Sequence, residues 1–212
     1  MRLRVKRPRV PYKLFSLLLQ YPDEDLLAAR PDIAEAIEAL PRSAERNALE
    51  RFQTFFGSAA PTELQQQYVA TFDLQKRSSL YLTFFSEGDT RKRGQALLWL
   101  KRLYAAGGFE LQGAELPDYL PVMLEFAELA PAGVGSELLA QHRHALALLR
   151  LHLNELESPY RHLLDGICAG LPRLGAAEVE RVGRLLEEGP PVELVGLRPS
   201  TSRNLRFHGG PR

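Results

Sequence analysis

One cysteine, Cys168, in 212 residues excludes an intramolecular disulfide and argues against a cysteine-built zinc site. Long apolar runs are missing as well. The longest aliphatic stretches are about five residues, such as 145–149, far short of the roughly 18–20 needed to cross a bilayer. No run of alternating β-branched residues suggests a sheet. Glu-x-x-His and His-x-x-x-His pairs are absent, and His142 and His144, two apart on a helix, point away from each other and cannot clasp one metal. A nucleophile elbow, a phosphate-cradling glycine loop and a dinucleotide fingerprint are lacking too. Gly107-Gly108 reads as a helix terminator, and Cys168, among Ile167, Ala169 and Leu171, reads as a buried structural residue. The sequence therefore predicts no enzyme, no metal and no cofactor. The N-terminus begins like a signal peptide, but the apolar part, Leu14 to Leu19, is short and runs into Tyr21-Pro22-Asp23 without a small-residue cleavage site. The expected location is the cytoplasm.

What is present begins with charge. The formal net charge is +1, yet residues 1–13 carry six Lys or Arg and no acid, and residues 198–212 carry four Arg and no acid. Between them 26 Asp and Glu face 17 Lys and Arg, which gives the body a formal charge of −9. Such a field repels phosphates and steers a basic peptide inward.

Helical periodicity runs through almost every segment, with Pro and Gly at the boundaries. It predicts helices over 12–20, 32–40, 44–56, 62–72, 90–106, 119–130, 135–155, 158–169 and 176–187. Thr62 with Gln65 has capping-box spacing. Asp89 and Asp118 are the expected N-caps of the helices that follow them, and Ser158 that of the helix ending near 169. Leu138, His142, Ala145, Leu149, Leu153 and Leu156 form the core stripe of one long helix. The expected fold class is all-α: a single-domain bundle of eight or nine helices with a peptide-binding groove. Residues 1–13 form a basic tail, 14–188 the helical domain, and 189–212 a flexible C-terminal tail in which eight of 24 residues are Pro or Gly.

Two segments stand out, 68–100 and 115–130. The first gathers Tyr68, Phe72, Tyr81, Phe84 and Phe85 beside a charged turn, and it places Arg91, Lys92 and Arg93 in the first turn of a helix. The helix dipole disfavours cations there by about 0.3–1 kcal/mol each. In the second, Pro121 fits only because a first turn needs no intrahelical N–H donor.

Tyr-Val-x-Thr-Phe-Asp (68–73), Ser-Leu-Tyr-Leu (79–82), Gly-Asp-Thr-Arg-x-Arg-Gly (88–94) and Leu-Pro-Asp-x-Leu-Pro-x-x-Leu-Glu-Phe (116–126) resemble the signature regions of the NarJ family. These are assembly chaperones of molybdenum-containing respiratory nitrate reductase, within the group that includes TorD and DmsD. The likeness covers about residues 12–197. Tyr119 stands where many relatives have His, and residues 198–212 match no part of the pattern. The resemblance implies an all-helical chaperone without catalytic activity. Its partner would be the N-terminal segment of the nitrate reductase catalytic (alpha) subunit, held open in the cytoplasm for insertion of bis-molybdopterin guanine dinucleotide before docking on the membrane-anchor subunit. Such a chaperone is not part of the mature enzyme.

With that resemblance in place, the misplaced cations have a use. Arg91 and Arg93 are expected to pair with Asp73, Asp118 or Glu125 and, with Asp89, to tie the two segments into one wall of a groove, since charge-assisted bonds offset an unfavourable dipole position. Tyr81, Leu82, Phe85, Leu120 and Phe126 would form the apolar floor, with Asp118, Tyr119 and Glu125 beside it. An amphipathic helix needs such anchors at three- and four-residue spacing. Two alternatives stay open: a TorD- or DmsD-like proofreading chaperone binding a twin-arginine leader, and a helical nucleic-acid binder using its basic tails, whose binding would fall steeply with salt.

Overall fold

A computed structural model describes residues 10–191; residues 1–9 of the expected basic tail (1–13) and residues 192–212 of the expected flexible tail (189–212) lie outside the described residues. Among the described residues the structure is all-α, with twelve α-helices. They are α1 (Tyr12–Leu18), α2 (Glu24–Ala28), α3 (Arg30–Glu38), α4 (Ala44–Ser58), α5 (Pro61–Tyr68), α6 (Leu82–Glu87), α7 (Arg91–Ala106), α8 (Leu120–Leu129), α9 (Val134–Gln141), α10 (Arg143–Glu155), α11 (Arg161–Ala169) and α12 (Ala176–Glu188). A π-helical turn, Val69–Asp73, prolongs α5, and a 3-10 turn spans Lys76–Ser78.

The count exceeds the eight or nine expected because short elements need little periodicity. In α2 the signal was present but unread: Asp23 accepts the Leu26 N–H at 2.9 Å, and Glu24 and Asp25 fill the first turn. The predicted long helix over 135–155 is two helices. His142 breaks it, with its N–H drawn to the Leu139 carbonyl (3.1 Å) and its Nδ1 lying 3.0 Å from the Leu138 carbonyl. Thr62 and Gln65 make no capping box, because α5 starts at Pro61 and Gln65 Nε2 donates to the Pro22 carbonyl at 3.1 Å. Ser158 does not cap α11 through its side chain: a turn of backbone bonds precedes Arg161, and the Ser158 hydroxyl meets Thr71 Oγ1 at 3.2 Å.

The core is centred on α11, whose Leu163, Leu164 and Ile167 are fully buried and which packs chiefly on α4 and also on α1 and α10. Close approach needs glycine at two places in the core. A Cβ on Gly166 would lie 2.5 Å from the Phe15 ring, and one on Gly135 would lie 2.2 Å from the Ala127 Cα, where α9 folds against α8. Ser16 donates to the Pro121 carbonyl at 2.8 Å, which fixes α8 on α1.

Candidate functional site

The two motif segments meet in space. Leu82 N–H donates to the Asp118 carbonyl (3.0 Å) and Leu120 N–H to the Leu80 carbonyl (2.8 Å), an isolated antiparallel bridge at Tyr81 and Tyr119. This short ladder sets the N-termini of α6 and α8 side by side and brings the Tyr81 and Tyr119 rings to 5.4 Å.

Asp118 was expected to cap α8. It caps α6 instead: its Oδ2 accepts the Thr83 N–H at 3.3 Å and the Thr83 hydroxyl at 2.5 Å, and its side chain is fully buried. The first turn of α8 carries Pro121 and needs one donor fewer, whereas α6 supplies no capping side chain from its own flank. Asp89 likewise is not the cap of α7, which starts after Thr90. Asp89 Oδ1 takes Arg93 Nη1 at 3.3 Å, while Arg93 Nη2 lies 3.5 Å from Asp118 Oδ2 and Nε donates to Thr83 Oγ1 at 3.4 Å. The same guanidinium sits 6.0 Å from the Tyr81 ring centre and 5.9 Å from that of Phe84. The cation at the wrong end of α7 thus answers the buried Asp118 carboxylate and two aromatic faces.

The expected partners divide. Glu125 is turned away from this network and accepts from Lys13 Nζ at 2.7 Å, holding the start of α1 to α8. Asp73 and Arg91 are exposed. Leu82, Phe85, Leu120 and Phe126, expected as a groove floor, are core residues, because the inner faces of α6 and α8 turn towards Tyr104 and the bundle centre. Leu82, Leu120 and Phe126 support the surface without forming it, while Phe85 also lines an apolar cavity between α6 and α10.

That surface is tyrosine-rich and acidic. Tyr81 donates to Glu115 Oε2 at 3.0 Å, and its pKa is pushed up to about 12, first by burial and then by the Glu115 carboxylate. Tyr119 OH lies 3.2 Å from Tyr68 OH, which in turn reaches the Leu19 carbonyl at 3.4 Å. Burial raises the pKa of both, with Asp73 adding in the same direction, so all three phenols stay protonated donors at neutral pH. Tyr21 packs edge-on against Tyr68 at 5.5 Å and is 44% exposed. Tyr21, Tyr68 and Glu115 were not among the expected site residues. Tyr68 lay within a quoted motif, and its role depends on the hydroxyl of Tyr119, 51 residues away. The π turn after Tyr68 buries Phe72 beneath Tyr68 and Tyr160, with ring centres at 4.9 and 4.8 Å.

Among the described residues no group of three or more His, Cys, Asp or Glu side chains could hold a metal ion, and no helix is long and apolar enough to cross a membrane. The fold and this surface define an all-helical domain that carries an acidic aromatic patch at the junction of two motif segments. The chain belongs to the nitrate reductase delta subunit family, whose sequence profile matches residues 38–165. It is 35% identical over 170 residues to the probable nitrate reductase molybdenum cofactor assembly chaperone NarJ of Bacillus subtilis, covering 80% of this chain and 92% of that protein. With NarJ of Escherichia coli K12, named a nitrate reductase molybdenum cofactor assembly chaperone, identity is 36% over 155 residues, or 72% of this chain and 65% of the relative. The nitrate reductase-like protein NarX of Mycobacterium tuberculosis H37Rv is 34% identical over 159 residues, but the match spans only 24% of its length.

Proposed function

We propose that this protein is a dedicated assembly chaperone of respiratory nitrate reductase. It binds the N-terminal segment of the catalytic alpha subunit in the cytoplasm, keeps that subunit open for molybdenum cofactor insertion, and leaves before the mature enzyme docks on its membrane anchor. It catalyses nothing and holds no cofactor of its own. The observation that carries this reading is the bridge between the two motif segments. It places Tyr81 and Tyr119 together with Glu115, and Asp73 acts on the Tyr119 hydroxyl, on the surface of a body with a formal charge of −9. Aromatic faces take apolar side chains at low entropic cost and phenols hydrogen-bond peptide groups, while the carboxylates favour a segment with a free amino terminus and basic residues. Residues 14–188 act as one helical domain in this reading.

Calorimetry against a synthetic peptide of the host's alpha-subunit N-terminus, with a twin-arginine leader peptide as comparison, tests it. Saturable binding of the first alone is expected, weakened at least tenfold by Tyr81→Ala combined with Glu115→Gln. Preference for the leader would move the protein to the export-proofreading branch. A steep salt dependence with nucleic acid and silence with both peptides would replace the reading altogether.

A further inference from the structure

The C-terminal end of the described chain is seated on the signature turn. Gly88 has φ +56°, and a Cβ there would fall 1.6 Å from the Pro191 carbonyl oxygen, so the absent side chain leaves the notch that the chain after α12 occupies. α12 leads into this notch. Its main packing partner is α10, Val182 is its one buried residue, with Leu185 and Leu186 partly buried, and Arg143 pairs with Glu178 at its start. A helix with so little buried surface belongs to the low-stability end of a fold.

Beneath the end of this arm lies an apolar cavity of about 170 Å³. Phe84 and Phe85 of α6 and Leu148 of α10 form one side, and Leu185 and Leu186 of α12 form the other. The volume exceeds the roughly 150 Å³ that accommodates a benzene ring in an engineered apolar cavity. Phe84 also shares the Arg93 guanidinium with Tyr81, so the cavity continues the tyrosine surface. Lys76 and Arg77 stand at its rim and disfavour a cationic side chain.

We infer that the arm from α12 to Pro191 is a movable cover, docked in the Gly88 notch, over a pocket that receives an aromatic or branched aliphatic anchor of the partner segment. The inference rests on the chaperone reading above. The partner's basic end lies on the Tyr81 and Tyr119 surface, and its apolar anchor enters between α6 and α10 as the arm lifts. Undocking the arm is part of the binding equilibrium, so loosening it raises affinity.

Val182→Asp, which loosens α12 without substituting any residue that lines the pocket, provides the test. Hydrogen exchange over 176–188 should speed at least tenfold while α4 and α11 stay protected, and affinity for the alpha-subunit peptide should rise at least threefold. Glu178→Ala, which removes the clasp to Arg143 and the bond that the Glu178 carboxylate accepts from the Gly175 N–H at the start of α12, should act in the same direction more weakly and guards against misfolding of the first variant. An apolar fluorescent dye should bind both variants more brightly than the parent, a readout that needs no peptide. Failure of the parent to bind peptide would sink the chaperone reading, and the dye and exchange results would still judge the arm. Unchanged or weaker peptide affinity with a loosened α12, or no dye response, would overturn the cover.

Discussion

Where α4 and α11 meet, contact is a matter of shape: Phe52 is fully buried against Tyr160 (5.1 Å between ring centres) and Phe56, and Gly166 admits the Phe15 ring. Where the two motif segments meet, contact is a matter of direction. There a buried carboxylate caps a helix that is remote in sequence, a guanidinium lies beside it, and tyrosine hydroxyls bond to each other and to backbone. The first seam can yield by repacking, with a penalty proportional to lost volume. The second loses a donor or acceptor whose buried partner then has nothing to bond. The acidic aromatic surface is built on the second seam, where atoms are held at fixed angles.

Perturbations should separate the two seams. The largest effect expected is from Phe52→Ala, a loss of about 4 kcal/mol in chemical denaturation, through cavity formation and spread over the whole bundle. Asp118→Ala should cost about 3 kcal/mol by uncapping α6 and stranding Arg93, with faster hydrogen exchange concentrated in 80–93. Asp118→Asn, which keeps the shape and removes the charge, should cost less. If both Asp118 variants proved harmless, the motif seam would be apolar packing after all.

Acid should act at the α6–α10 contact. His144 Nε2 lies 2.6 Å from Ser86 Oγ, and burial, followed by Arg181 and His142, pushes its pKa down to about 4. The unfolded chain takes up this proton first, near its ordinary pKa of about 6.5, so the stability is full above that pH and declines until about pH 4. At pH 5 the loss should be about 2 kcal/mol relative to neutral pH, read from denaturation midpoints, and His144→Gln should flatten the slope. Burial lowers the His142 pKa as well, and it adds to the same trend. Tyr119→Phe should have the smallest effect, about 1 kcal/mol, for the single hydroxyl bond to Tyr68. A larger effect would mean that the tyrosine pair carries more of the seam than one hydrogen bond.

Much of the fold was legible because its long helices bury a stripe at regular spacing: α4, α7 and α8 fall where their periodicity puts them. Failures came where a local preference met a remote partner. Asp118 looks like a cap for the helix that follows, yet its carboxylate is engaged by Thr83 and Arg93 of α6 and α7, whereas Asp89 is drawn from the capping position by the nearby Arg93. Leu82, Leu120 and Phe126 are apolar and near the motifs, but apolarity does not distinguish a groove floor from a core. α11 and α12 are both amphipathic in sequence, and one is central while the other lies on the surface.

The sequence by itself determined the all-helical class, most helix limits and the two motifs that carry the family likeness, because helix period and capping chemistry act over a few residues. Only the tertiary structure decided that Asp118 caps α6, that Tyr68 and Tyr119 share a hydrogen bond, and that Gly88 receives Pro191. Those contacts join residues 35, 51 and 103 positions apart, and their partners are chosen by packing of the whole bundle and not by local preference.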